Sequence, residues 1–301
     1  MSTDESGMDF FIQMVVSGMS VGAVYAMIGL GLNLTFWTTR VLNFGQGSVL
    51  MAGAMLTAVM VASGVNVFMA VGVSLIATGG ILWLVEVVGV RPLLRMPGSM
   101  GWVVSTLGTG IFLQGVASWL FGTQAVAFPD VLFRSVDTVE FMGAYISLQY
   151  IAVFVISVVI VCLMELFLRK SIWGYGVRAV AHDGDLAAIM GIPVRRVVVL
   201  SFIVSGILAG VAGILISQVS GTVDPNFGLH LLILAFVAAV VGGMGSAFGS
   251  LAGGLILGIL EKLIGGYFSP AAAEVVAFVL LIGVLTVRPQ GLFGKRETVK
   301  V

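Results

Sequence analysis

Long apolar runs alternate with short polar segments along the whole chain, and this pattern predicts about nine membrane-spanning helices. The runs cover residues 10–37, 44–63, 67–90, 101–121, 148–168, 197–219, 229–241, 249–264 and 274–287. Most approach the ~20 apolar residues that a helix needs to cross a bilayer. The second, seventh and eighth runs are short or glycine-rich, which fits broken or re-entrant segments, since irregular backbone at membrane depth must be covered by protein or water.

The composition sets the fold class. Hydrophobic residues make up 59% of the chain and charged residues 9%, and the mean hydropathy is +1.16. A soluble core cannot hide that much apolar surface, so we expect an all-α, polytopic transmembrane protein in which residues 1–301 form a single membrane domain. The 41 glycines suit helices that approach one another closely in lipid. The acidic start, with no basic segment, does not resemble a cleaved signal peptide.

The charge distribution predicts the orientation, with the N-terminus outside and the C-terminus inside. This threading leaves only Arg134 and Lys262 among the basic residues on the outer side, in agreement with the positive-inside rule. The inner basic residues are Arg40, Arg91, Arg95, Arg169, Lys170, Arg178, Arg195, Arg196, Arg288, Lys295, Arg296 and Lys300. Residues 169–196 then form a cytoplasmic loop, and residues 122–147 form the main exterior (periplasmic) loop.

The polar loop at residues 169–196 carries the signals of one short helix. Asp183 is placed to cap its N-terminus, Asp185 lies in the first turn, and Gly191 followed by Pro193 ends it. Three apolar residues at helical spacing form one stripe: Leu186, Ile189 and Met190. At ~1.5 Å per residue such a helix is too short to span a bilayer. An exposed stripe indicates docking onto another protein, and the alternative is that it lies against the membrane or the chain's own spans.

Ionisable residues avoid the middles of the predicted spans. Glu86, Glu165 and Glu261 fall near span ends, where we interpret them as boundary charges that reach the interface. Proton- or sodium-driven transporters usually need a carboxylate or a cation site at mid-membrane. The two histidines, His182 and His230, are too far apart to share a site. The sequence therefore predicts neither a metal site nor a catalytic centre.

Uncharged polar residues gather in two places instead. One lies where the first span ends and the second begins and includes Asn43 and Gln46. The other lies in the fourth span and includes Ser105, Thr106 and Thr109. These side chains are candidates to line a solute path without the cost of a buried charge. Alternatively, they are hydrogen bonds between helices, each contributing about 0.6–2 kcal/mol.

Glycines also recur at a spacing of four. The pairs Gly18/Gly22, Gly206/Gly210, Gly249/Gly253 and Gly254/Gly258 predict close helix packing. The glycine-rich run at residues 242–249 lacks the Gly-Lys-Ser/Thr ending of a phosphate-binding loop, so we interpret it as a tight turn. The sequence contains no Walker motif, so this chain is not expected to hydrolyse ATP itself.

Five motifs together resemble the permease subunits of branched-chain amino-acid ABC importers. They are GMSVGAVYA at residues 18–26, LNFGQG at 42–47, RAVA at 178–181 with the segment that follows it, AAVVGGMGS at 238–246 and VRPQGLFG at 287–294. The resemblance covers nearly the whole chain, and it is closest to the shorter of the two permease types.

The resemblance implies partners and a role for the polar loop. It implies a second, related permease chain, two cytoplasmic ATPase subunits and a periplasmic solute-binding protein, with ATP used only by the partners and no cofactor in this chain. The loop helix resembles the coupling helix that seats in the ATPase. The contact residues implied are Arg178, Asp183, Asp185, Leu186, Ala187, Ala188 and Gly191.

The function expected from this reading is that of a transport subunit and not an enzyme. It would take up branched-chain or related hydrophobic amino acids across the bacterial inner membrane by alternating access, through a path lined partly by Asn43, Gln46, Ser105, Thr106 and Thr109. The first alternative is a stand-alone channel or secondary transporter for a small neutral solute such as urea or an amide. The second is a membrane scaffold that transports nothing.

Overall fold

The computed structural model describes residues 3–93, 101–133, 136–141 and 143–294. Eleven α-helices account for most of these residues. In chain order they are α1 Thr3–Thr39, α2 Gln46–Ala62, α3 Val67–Val85, α4 Gly101–Phe121, α5 Leu148–Lys170, α6 Ile172–His182, α7 Gly184–Ile189, α8 Val194–Ser220, α9 Phe227–Gly242, α10 Ala247–Tyr267 and α11 Pro270–Val287. A π-helical turn, Glu86–Val90, extends α3. Arg95, Arg134, Lys295, Arg296 and Lys300 lie outside the described residues.

Seven helical segments of the described chain are long and apolar enough to cross a membrane. The shorter apolar helices α2 and α9 have 17 and 16 residues. The prediction that the second and seventh runs are short is therefore confirmed, whereas the eighth run forms the full-length helix α10. The fold is mostly helical and membrane-spanning, as expected.

Four short β-strands add to the helices that the sequence predicts. Strand β1, Val126–Ala127, pairs antiparallel with β4, Thr222–Val223. Strand β2, Thr138–Phe141, forms a hairpin with β3, Ala144–Ser147. Three of the four strands lie within residues 122–147, the predicted exterior loop, so that segment contains regular structure. Runs of two to four residues are too short to show the alternating pattern that predicts a strand.

The described residues divide into two compact units. The first comprises the chain up to Gly29, Asp130–Val161 and the chain from Ile233, and the second comprises Leu30–Pro129 and Cys162–Leu232. Helices α1, α5 and α9 each contribute to both units. Segments that are distant in the sequence thus join in each unit, although the hydropathy pattern alone predicts a single domain.

In the first unit, glycines bring α1 and α10 into backbone contact. A Cβ atom built on Gly254 would lie 2.4 Å from the carbonyl oxygen of Gly22, and one on Gly258 would lie 2.4 Å from that of Gly18. A Cβ atom built on Gly253 would likewise lie 2.2 Å from the carbonyl oxygen of Ala238 in α9. The four-residue glycine spacing therefore does mark close packing, since any side chain at these positions would separate the helices.

The last two motifs of the family resemblance meet in the same unit. Residues 243–246 form the tight turn between α9 and α10, with Gly243 at a φ of 101°. The amide of Leu292 donates to the carbonyl of Val241 at 2.8 Å, and that of Phe293 donates to Gly242 at 3.1 Å. The segment that follows α11 thus packs on this turn.

In the second unit, α8 packs antiparallel to α3. A Cβ on Gly206 would lie 2.5 Å from the carbonyl oxygen of Thr78, and one on Gly210 would meet the Thr78 side chain at 2.5 Å. Helix α2 contacts the same stretch of α8, because Gly53 lies against Gly210. The Thr57 hydroxyl of α2 donates to Ser74 of α3 at 2.8 Å. These contacts hold α2, α3 and α8 together.

The carboxylates near span ends are paired in three different ways. Glu86 is 2% exposed. Its Oε1 atom accepts a hydrogen bond from Nε of Arg91 at 3.0 Å. Glu165 pairs with Arg169 one helical turn later, as its spacing indicates. Glu261 is hydrogen-bonded to the buried Tyr25 hydroxyl of α1. Glu86 and Glu261 each have a partner inside their own unit, and their interpretation as boundary charges stays a prediction.

Candidate functional site

The polar loop at residues 169–196 folds into two helices, α6 and α7, where the sequence predicts one. Ser171 caps α6, since its hydroxyl accepts from the Gly174 amide at 2.9 Å. Asp183 caps α7 as predicted, with Oδ1 accepting from the amides of Asp185 and Leu186 at 3.0 and 2.9 Å. Gly191, at a φ of 84°, ends the segment in the left-handed region that favours glycine.

One face of this helix pair is fixed to the membrane-spanning helices. Val177, Val180 and Ala187 belong to a buried apolar cluster with residues of α1, α5 and α8. Those residues are Leu34, Leu168 and Val197. Helix α7 is thus packed, through Ala187, in a cluster that joins three long helices.

The other face of α7 is open. Leu186, Ile189 and Met190 are 53%, 80% and 76% exposed, and Asp183, Asp185, Ala188 and Gly191 are also exposed. The stripe does not pack against the described part of the chain's own spans, so only contact with the membrane surface remains as the alternative to docking. What remains is a small apolar face bordered by two carboxylates, carried on an anchored helix.

Arg178 is engaged within the chain. Its Nη1 donates to the carbonyl of Leu168, and its Nη2 donates to that of Arg169 at 3.4 Å. The guanidinium also lies 4.7 Å from the ring centroid of Tyr175. Carbonyls at a helix C-terminus lack partners within the helix, so Arg178 caps α5 and joins it to α6.

The two polar clusters predicted from the sequence come together in the second unit. Gly45 packs against α4, since a Cβ built on Gly45 would lie 3.2 Å from the carbonyl oxygen of Thr106. A Cβ built on Gly110 of α4 would lie 3.2 Å from the Ser48 hydroxyl of α2. At ~1.5 Å per residue, these α4 positions lie roughly 8–14 Å beyond the first described residue of that helix. Helix α2 therefore begins beside the middle of α4, preceded by the non-helical segment at residues 41–45.

Most of the polar atoms at this junction have partners. Ser105 donates to the carbonyl of Gly89 at 2.7 Å. Thr106 and Thr109 donate to carbonyls one turn earlier in α4, at 2.8 and 2.7 Å. Gln46 is buried, with its Oε1 3.2 Å from the Ser205 hydroxyl of α8. These bonds hold the junction together. Asn43, Gln46 and Thr106 are all 0% exposed, so the junction is closed to solvent at these residues.

Asn43 is different from its neighbours. Its Oδ1 accepts from the Gly45 amide at 3.1 Å, just before α2 begins. Its Nδ2 is buried and has no hydrogen-bond partner among the described residues. A buried amide donor without a partner is costly, so such a group indicates strain or a role in binding.

The starts of the two short helices also meet at this junction. A Cβ on Gly47 of α2 would lie 2.5 Å from the carbonyl oxygen of Gly228 in α9. A Cβ on Gly228 would lie 2.2 Å from the carbonyl oxygen of Gly47. The positive ends of two helix dipoles therefore lie side by side. Gln114 of α4 is hydrogen-bonded to Asn226, just before α9.

Three features of this site are not predicted by the sequence. Ser205 carries no signal beyond its position one residue before the paired glycine Gly206 on an apolar helix. Helices α6 and α7 are predicted as one helix, although Ser171 is a clear cap signal. The contact between Gly47 and Gly228 has no signal in a single sequence beyond the shortness of both runs.

These features define a multi-pass helical membrane protein with an anchored pair of loop helices. The model of the family described as "branched-chain amino acid transport system / permease component" matches residues 14–285. The chain is 34% identical over 304 residues to the high-affinity branched-chain amino acid transport system permease protein LivH of Escherichia coli K12, covering 97% of this chain and 98% of the relative. It is 33% identical to BraD of Pseudomonas aeruginosa, a protein described in the same words, covering 97% and 98%.

The chain belongs to this family of branched-chain amino acid permease components. It is accordingly a permease subunit of an ATP-binding-cassette transporter and a multi-pass protein of the inner membrane. The structure of PsaBC from Streptococcus pneumoniae in complex with Fab is similar in fold, with a TM-score of 0.52 over 93% of this chain and 92% of that chain, at 16% identity.

Proposed function

We propose that this chain is one half of the permease of an ABC importer that takes up branched-chain or related hydrophobic amino acids by alternating access. The family membership and the substrate named for LivH and BraD support this substrate class. The other half is a second, related permease chain, and a periplasmic binding protein delivers the amino acid. The nine helices outside the polar loop form the membrane segments, with α2 and α9 as short segments that begin within the membrane, the N-terminus outside and the C-terminus inside.

Helix α7 receives the ATPase in this proposal. The observation that carries the assignment is its exposed stripe, Leu186, Ile189 and Met190, on a helix whose opposite side is packed on three spans. Ala187, Ala188 and Gly191 add little bulk, which permits close approach, and the carboxylates of Asp183 and Asp185 offer partners for basic groups. Arg178 supports the contact by holding α6 on α5.

The translocation path passes the junction of α2, α4 and α9. Its lining includes Asn43, Gln46, Ser105, Thr106 and Thr109. Two helix N-termini and the Asn43 amide supply positive potential for an amino-acid carboxylate. The junction is closed in this structure, and alternating access requires α2 or α9 to move away from α4.

Co-purification and uptake test this proposal together. The tagged chain is expressed with its partner subunits, and Leu186→Asp is compared with Val136→Asp, another exposed apolar position far along the chain from α7. We expect Leu186→Asp to lose the ATPase subunit and uptake, and Val136→Asp to keep both. Retention of the ATPase by Leu186→Asp would remove α7 from the contact. Competition of labelled leucine uptake by unlabelled amino acids then identifies the substrate class.

A further inference from the structure

A basic groove lies between the end of α3 and the start of α8. It has a volume of about 580 Å³ and is lined at one end by Arg91, Arg195 and Arg196. Because α3 and α8 run antiparallel, Arg91 after the π-helical turn comes level with the first turn of α8. Arg91 thus lines the same groove as the adjacent pair Arg195 and Arg196, which follow it by about a hundred positions in the sequence.

The charge of the groove is not balanced within the chain. Glu86 pairs with Arg91, whereas Arg195 and Arg196 are exposed and make no ion pair with any described residue. Among the residues that the structure describes, no acidic side chain lines the groove. Both arginines also lie in the first turn of α8, where the helix dipole adds positive potential. An anionic group is therefore the ligand that the electrostatics favour.

The remaining lining is aromatic and aliphatic. Trp83 and Trp173 are 44% and 43% exposed, and Leu200 lies beside them. Trp173 and Leu200 also line a second cavity of about 190 Å³, whose other walls are apolar residues of α1, α5, α6 and α8 apart from Ser201. Those walls include Leu34, Met164, Phe167 and Val204. The arginine-lined groove therefore adjoins this apolar slot at Trp173 and Leu200.

The position of the groove favours a lipid over a protein or a free anion. The candidate span Val67–Val90 ends one residue before Arg91, at the level of the phospholipid headgroups. Leu84 and Val88 on the same segment are 52% and 74% exposed, and Ile172 at the start of α6 is 88% exposed. Tryptophans at span ends beside arginines are typical of the membrane interface.

We propose that this groove binds a phospholipid with an anionic headgroup. Arg195 and Arg196 bind the phosphate and the anionic headgroup, Arg91 borders them, and one acyl chain passes between Trp173 and Leu200 into the apolar slot. The lipid then lies between α3, α6 and α8. Since α6 is continuous with the α7 contact, the bound lipid braces the helix pair against the spans.

Native mass spectrometry of the full chain in detergent tests this proposal. The probes are dioleoyl phosphatidylglycerol, dioleoyl phosphatidylcholine and inorganic phosphate. The variants are Arg195→Gln, Arg196→Gln and the double variant, with Lys170→Gln as the control because Lys170 is exposed at the end of α5 and does not line the groove. Size-exclusion elution and helical circular dichroism establish that each variant is folded.

We expect the wild type and Lys170→Gln to retain phosphatidylglycerol about tenfold better than phosphatidylcholine. The double variant is expected to lose that preference, and each single variant is expected to lose part of it. Trp173→Ala is expected to weaken retention of both lipids. Equal retention of the two lipids by the wild type would overturn the proposal. So would binding of inorganic phosphate as tight as that of the lipid, or a folded double variant that keeps the preference for phosphatidylglycerol.

Discussion

The Oγ atom of Ser205 in α8 lies 3.2 Å from Oε1 of Gln46 at the start of α2 and 2.9 Å from the carbonyl oxygen of Gly31 in α1. One hydroxyl thus joins three helices where the predicted path begins. All of these atoms are buried, so the single hydroxyl proton is shared between two acceptors in a low-dielectric setting in which a hydrogen bond is strong.

Replacement of Ser205 by alanine is expected to destabilise the protein and reduce uptake. The change removes a buried donor between helices and should lower the free energy of unfolding by about 1–3 kcal/mol. Ser201→Ala is the matched control, because the buried Ser201 hydroxyl donates only to Val197 of its own helix. Thermal unfolding in detergent compares the two variants, and equal losses in both would contradict a specific role for Ser205.

The close approach of α2 and α9 predicts a large effect of one methyl group. Gly47→Ala and Gly228→Ala each place a Cβ within 2.5 Å of a backbone oxygen of the other helix, so the helices must separate. We expect the loss of most uptake and a clear fall in the unfolding temperature. Gly108→Ala in α4 is the control, since nothing lies within 4 Å of its added methyl group. If both groups of variants behave alike, the two helix starts do not need to be in contact.

The Asp183 cap predicts a local change in α7. Asp183→Ala removes the acceptor for the amides of Asp185 and Leu186 and should cost about 0.5–2 kcal/mol of local stability. Hydrogen exchange at these amides is expected to accelerate, with a matching fall in ATPase affinity, whereas Asp183→Asn should largely preserve both. Unchanged exchange in Asp183→Ala would show that the cap does not stabilise α7.

Arg178 predicts a change in α6 and not only at the contact surface. Arg178→Ala leaves the carbonyls of Leu168 and Arg169 without this donor, and charged hydrogen bonds of this kind contribute about 1.5–3 kcal/mol. We expect exchange of the α6 amides to accelerate by roughly ten- to a hundredfold. Should exchange in α6 stay at the wild-type rate while the ATPase is lost, Arg178 contacts the ATPase directly instead.

Much of this fold could be predicted from the sequence because each element carried its own signal. Asp183 and Gly191 mark the two ends of α7, and the four-residue spacing of Gly18 and Gly22 marks a packing face. The contact of Gly45 with Thr106 could not be predicted, since it depends on where α2 begins relative to α4. The same holds for Tyr25 and Glu261, because hydropathy places a carboxylate near a span end without showing which way it points.

In the proposed function, α7 is a cytoplasmic helix covered by the ATPase. Labelling of a cysteine at position 186 tests both parts of this placement. Leu186→Cys is placed in a Cys162→Ser background, since Cys162 is the only other cysteine, and is treated with a membrane-impermeant maleimide. We predict labelling in inside-out vesicles only after the ATPase subunit has been stripped, and none in intact cells. Labelling in intact cells would show that α7 is not cytoplasmic. A labelling rate in inside-out vesicles that the ATPase does not alter would show that the ATPase does not cover α7.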